Sequence, residues 1–179
     1  MGLQYQLLRL LPGHVWGWFL HLGCVFIPVL FFHVAVFYSK NSYEKILALK
    51  ISYIVATIFI FLNTFTPFFT RGISYRDLYA YPTPAILYPL YFIFFVSLIC
   101  WGTFLMFKRM KELSSDVRKW MKLFLLFNIL AYIGGMDNFL IMADIRIFPL
   151  YPFGLYLVFP YAIIGSYAIV KVSPRTRMR

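Results

Sequence analysis

The sequence predicts an all-α fold: a polytopic membrane helix bundle of about five transmembrane helices, N-terminus out and C-terminus in. Three observations predict it. The 179-residue chain is 62% hydrophobic and only 13% charged, too apolar for a water-soluble domain. Apolar stretches long enough to cross a hydrocarbon core, about 20 residues, recur at 15–38, 47–69, 85–107, 120–142 and 150–172. Lysine and arginine number 1, 3, 2, 6, 1 and 4 from the N-terminal segment through successive connections to the tail, so alternate sides hold 13 and 4. By the positive-inside rule the side with 13 faces the cytoplasm. The net charge of +11 then reports topology and contact with anionic headgroups, and no nucleic-acid partner is expected. A membrane β-barrel is not expected, because the apolar stretches lack the two-residue alternation its strands require. The expected location is the inner (cytoplasmic) membrane, multi-pass.

Residues 1–13, MGLQYQLLRLLPG, form a short N-terminal segment without a small-residue cleavage pattern after an apolar core, so no removable signal peptide is expected. Residues 14–172 are the bundle and 173–179 a basic cytoplasmic tail. The first span carries Trp16 and Trp18 at its outer end and Tyr38 at its inner end, as aromatic belts predict. Pro28 has no amide hydrogen and frees the Cys24 carbonyl, which predicts a kink. Cys24 and Cys100 lie in apolar spans, where a thiol behaves as a small hydrophobe. The second span follows the basic loop SKNSYEK and ends in NTFTPFFT, broken by Pro67. The external segment RGISYRDLYAYPTP, with Tyr75, Tyr79, Tyr81, Pro82 and Pro84, is expected as an ordered loop at headgroup level. KRMKELSSDVRKWMK, the strongest basic cluster, is expected to extend both flanking helices into the cytoplasm. Pro160 bends the fifth span.

Groups able to carry chemistry are few: His14, His21, His33, Asp137, Asp144, Asn63 and Asn128. The sequence has no H-E-x-x-H, no G-x-S-x-G and no Gly-rich phosphate loop. Bis-histidine haem ligation needs two facing helices, whereas all three histidines sit on or beside the first. Neither enzymatic activity nor a cofactor or metal is expected. A carboxylate in hydrocarbon is costly, about 2.5–3.5 kcal/mol on insertion scales, so Asp137 needs a reason to be there. His21 and Asp137 fall at similar depth, about 10 Å below the outer interface at 1.5 Å per residue. They pair, form a structural hydrogen bond, or Asp137 meets a water-filled vestibule. Gly134 and Gly135 permit close helix approach beside it. Asp144, two helical turns on, pairs with Arg146 or meets water at the membrane edge. A ligand site lined by His21, Asp137, Asp144 and Arg146 is one reading of this outer end. His33 reads as interfacial or packed, and Asn63 and Asn128 as interhelical hydrogen bonders.

Two stretches are familiar. FIPVLFFHVAVFY resembles the P-x-x-[FL]-[FL]-H-F helix of the N-terminal seven-helix membrane region of bacterial histidine kinases. GGMDNFLIMADIRIFPLYPFGLYLVFPYAIIGSYAIVK is similar to the closing part of that region. There a helix with Gly-Gly and an acidic residue leads to an I-x-x-[YF]-P-L turn, and the last helix ends in Y-A-I-x-[KR]. The matching positions are Pro28, His33, Gly134, Gly135, Asp137, Pro149, Leu150, Tyr167, Ala168, Ile169 and Lys171. The resemblance covers about residues 14–172 and implies a sensory input module of a two-component system, N-terminus out.

The sequence departs from that region in having five spans, and no phosphoacceptor helix or ATP-binding segment follows Lys171, so kinase activity does not carry over. An input region separated from its output, a truncated gene, or a stand-alone protein reusing the fold would each account for this. The resulting expectation is a signal-input module without its own output domain, coupled through the helices bent at Pro28 and Pro160. Its expected partners are the lipid bilayer, a cytoplasmic kinase or other signalling output protein, and a second copy in a homodimer. The rivals are a small transporter, or transporter subunit, using Asp137, and a membrane assembly factor acting through residues 108–122.

Overall fold

A computed structural model describes residues 23–39, 43–76, 79–142, 145, 156, 160, 163, 166 and 167, excepting the side chains of 70–82, 137, 138, 141 and 142. Helix accounts for 86% of the described residues. In chain order the elements are α1 (Gly23–Tyr38), α2 (Tyr43–Phe65), β1 (Thr70–Arg76), β2 (Tyr79–Pro84), α3 (Tyr88–Met110) and α4 (Ser115–Met142). Two compact units divide the chain, Met1–Gly102 and Thr103–Arg179, with α3 continuing through the division.

One connection within the mostly helical chain is not a plain loop. The segment expected as an external loop is an antiparallel β-hairpin, pairing Ile73 with Pro82, Ser74 with Tyr81 and Tyr75 with Ala80. Prolines at 82 and 84 argue against a strand, because proline cannot donate to a ladder. A two-stranded sheet consists only of edge strands, so each proline can leave its donor side facing outward. The register shifts between Thr70 and Gly72. The base of the hairpin is tied by two further bonds, Ala85 N–H to Phe69 C=O and Leu87 N–H to Phe68 C=O, both 3.0 Å.

Among the described residues α2 and α3, 23 residues each, are long and apolar enough to cross a membrane. A core helix of a soluble protein passes the same test but is mostly buried. Here the apolar windows of α2 and α3 are 17% and 33% buried. On α2 the exposed residues Leu47, Ile51, Ile54, Ile58, Phe61 and Phe65 recur every three or four positions, which makes one apolar face. On α3 a comparable face holds Leu90, Ile93, Trp101, Phe104 and Phe107.

Within the first unit α1 touches both neighbours. Val25, Pro28, Val29, Phe32, Ala35 and Val36 form its buried stripe. Phe32 meets Trp101 of α3 at 5.0 Å between ring centroids, and Phe26 meets Tyr53 of α2 at 6.4 Å. Gly102 lets the α3 backbone close on α1: a Cβ built there would lie 2.8 Å from Phe31 Cε1. Any side chain at 102 would force the Phe31 ring to shift.

In the second unit α3 ends at Met110 and α4 starts at Ser115, so both helices do extend through the basic segment. The Arg118 guanidinium closes the turn between them by donating to the carbonyls of Leu113, at 2.9 Å, and Lys111, at 3.3 Å. These carbonyls lie just past the C-terminal end of α3, where a cation is favoured. At the far end of α4 the Ile145 N–H donates to the Leu140 carbonyl at 2.8 Å. Within the fifth expected span, Pro160, Ile163, Ser166 and Tyr167 are helical. Tyr167 stands edge-on to Trp120 in α4, ring centroids 5.5 Å apart.

Candidate functional site

Pro28 is fully buried inside α1, which continues as helix through it. The proline cannot supply the amide that would normally bond the carbonyl four residues back, and that carbonyl belongs to Cys24. The Tyr91 hydroxyl of α3 supplies the missing donor, 3.0 Å from the Cys24 oxygen. A buried carbonyl without a partner costs about 1–3 kcal/mol, so Tyr91 removes a penalty that Pro28 creates.

Tyr91 is held in place by rings. Phe69, Tyr88 and Phe59 surround it at centroid distances of 5.4, 5.8 and 5.7 Å, and Phe95 lies at 6.2 Å. Phe59 of α2 also contacts Phe69 and Phe94, at 5.8 and 5.5 Å. Edge-to-face and tilted pairs at these separations each contribute about 0.5–1.5 kcal/mol. Phe69 immediately precedes β1 and is fully buried. One cluster therefore joins the foot of the hairpin, α2, α3 and the proline step of α1.

A second polar link lies farther along α1. His33 Nδ1 and the Tyr53 hydroxyl of α2 share a hydrogen bond of 2.9 Å, with the rings edge-on at 5.9 Å. His33 is exposed on the same α1 face as Leu30 and Phe37, so it is an interhelical hydrogen bonder on an otherwise apolar surface.

No family model, curated protein or solved structure matches this chain. Its own geometry is what bears on function. The site residues read from the sequence divide accordingly. Pro28, His33, Gly134, Gly135 and Pro160 are described, and Gly134 is buried. His21, Asp144, Arg146 and Pro149 lie outside the described residues, as does the side chain of Asp137. The backbone of Asp137 is helical in α4, one turn beyond Gly134. Tyr91 was not among the sequence candidates. Its signal was indirect: a proline in an apolar helix implies a donor for a freed carbonyl, but a partner 67 residues away cannot be chosen by spacing.

Asn128 shows the opposite situation. It is 1% exposed and its Nδ2 donates to the Phe124 carbonyl at 2.7 Å, while Oδ1 has no hydrogen-bond partner among the described residues. A buried orphan acceptor costs free energy, and an apolar replacement of similar size removes that cost. Asn128→Leu is expected to raise stability by about 1 kcal/mol, read as a higher thermal unfolding midpoint in detergent micelles. A lower midpoint would mean that Oδ1 serves a partner in the folded protein.

Proposed function

We propose that this protein is the signal-input module of a membrane sensor, a five-span bundle of the inner membrane with its N-terminus outside. The exposed apolar faces of α2 and α3 support the membrane reading, since such surface is stable in contact with lipid and not with water. The Tyr167–Trp120 contact supports a fifth span that returns to the end where α4 begins. The observation that carries the sensory reading is the Tyr91 bond to the proline-freed Cys24 carbonyl, at the foot of the external hairpin.

A stimulus at the outer half of the bundle, around the hairpin and around His21, Asp137, Asp144 and Arg146, moves Phe69. The aromatic cluster transmits the motion to Tyr91, and release of the Cys24 carbonyl lets α1 bend at Pro28. A gap of about 1–3 kcal/mol for the unpaired carbonyl leaves the released state populated at the percent level, within reach of a ligand that favours it. The change passes to a cytoplasmic kinase or other signalling output protein.

Pulsed electron paramagnetic resonance tests this with spin labels at Gly23 and Phe37, two exposed α1 positions on either side of the Cys24–Pro28 step. Two distance populations are expected in a bilayer, and Tyr91→Phe is expected to shift their ratio about fivefold or more. A single distance, unaltered by Tyr91→Phe, would sink the reading.

The transport alternative rests on Asp137 lying one turn from buried Gly134. Proton flux into liposomes that Asp137→Asn abolishes would put transport first.

A further inference from the structure

The junction between α3 and α4 carries more positive charge than its own contacts use. Arg109 pairs with Glu112, and the Arg118 guanidinium is committed to the Lys111 and Leu113 carbonyls. Lys108, Lys111, Lys119 and Lys122 are all exposed, and none has an ion-pair partner among the described residues. Lys119 and Lys122 are three apart on α4, so they share a face. Lys108 and Lys111 flank the end of α3 with the same spacing. The Arg118 clamp fixes the turn between the two pairs, which are therefore presented by a closed junction.

What neutralises these lysines must also tolerate hydrocarbon. The exposed face of α3 runs through Phe104 and Phe107, four residues before Lys108 and Lys111 respectively, so each ammonium group continues a stripe of exposed phenyl rings. A soluble anion would satisfy the charges and leave the rings in water. An amphiphile satisfies both. Trp120, half-buried against Tyr167 and next to Lys119, marks the headgroup level at which amphipathic rings settle.

We propose that the α3–α4 junction is a binding site for an anionic phospholipid, its phosphate between the four lysines and one acyl chain along Phe104 and Phe107. The proposal rests on the membrane part of the reading above and is independent of the sensory part.

Native mass spectrometry of the protein released from lipid nanodiscs tests it, with phosphatidylglycerol and phosphatidylcholine competing in equal amounts. Preferential retention of phosphatidylglycerol is expected. Each Lys→Gln change among the four is expected to weaken that preference about fivefold, since a basic residue near an anionic surface contributes about 1 kcal/mol. The fourfold Lys→Arg variant, which keeps the charge, is expected to retain the lipid. Glycerol 3-phosphate at the same concentration is expected not to displace it. Displacement by glycerol 3-phosphate would make the ligand a soluble phosphate and overturn the proposal, as would unchanged retention in the fourfold Lys→Gln variant. Failure of the protein to enter discs of either lipid, alone or mixed, would remove the membrane reading, and this site with it. Entry without lipid preference would remove this site only.

Discussion

Phe69→Ala is expected to destabilise the first unit by about 3–5 kcal/mol, the range for truncating a buried phenylalanine. Phe69 is 0% exposed and touches the rings of Phe59, Tyr88 and Tyr91. It also sits where α2 has ended and β1 begins, so its backbone carbonyl anchors Ala85 at the other foot of the hairpin. Removing the ring leaves a cavity bordered by aromatic groups that cannot collapse without shifting α2 against α3. In the proposed membrane setting helices gain little from apolar transfer, so the loss there is one of packing, and the lower half of the range applies if lipid chains fill the gap. Phe68→Ala is the control. Phe68 is 55% exposed, and its backbone bond to Leu87 survives the change. Unfolding by SDS in mixed micelles should separate the two variants clearly. Equal midpoints would mean that the hairpin foot is not held by the cluster, and the proposed route from the hairpin to Tyr91 would fail with it.

Much of the helical framework was legible in the sequence. Apolar length alone placed α2 and α3, and Pro67 marked where α2 stops, since the helix ends at Phe65 and Pro67 lies in the following turn. The basic segment was legible as helix extension because Asp116 opens α4 and Lys108 and Arg109 close α3, as the helix dipoles favour. The hairpin was not legible. Its prolines and short alternation imitate a loop, and pairing is a relation between two segments that neither shows alone. The candidate site was half legible. Pro28 announced a free carbonyl, a local fact of covalent chemistry, whereas Tyr91 became its donor only because α1 and α3 pack side by side. His33 was visible as a histidine in an apolar helix, but Tyr53 as its partner depends on the packing of α1 against α2.

Gly102→Leu should cost more than 3 kcal/mol, at the top of the range for overpacking, because it acts on the contact that sets the α1–α3 distance. A Cβ at 102 would lie 2.8 and 3.1 Å from Phe31 Cε1 and Cδ1 and 3.4 Å from Ala35 Cβ. Neither neighbour can retreat freely: Phe31 is 6% exposed and Ala35 is fully buried. Gly102→Ala separates two opposing effects. Alanine gains about 1 kcal/mol of helix propensity over glycine, while the close approach costs about 1–3 kcal/mol, so a net loss of about 1 kcal/mol is expected. Phe31→Leu combined with Gly102→Ala should recover part of that loss, since the shorter side chain withdraws the atoms that meet the new methyl group. The coupling in this double-mutant cycle, read from unfolding midpoints, measures the contact itself. Strict additivity, or a Gly102→Leu protein as stable as the parent, would mean that α1 and α3 are not held this close. Tyr91 would then be left without a fixed path to the Cys24 carbonyl, because the hydroxyl can satisfy it only while the two helices remain packed.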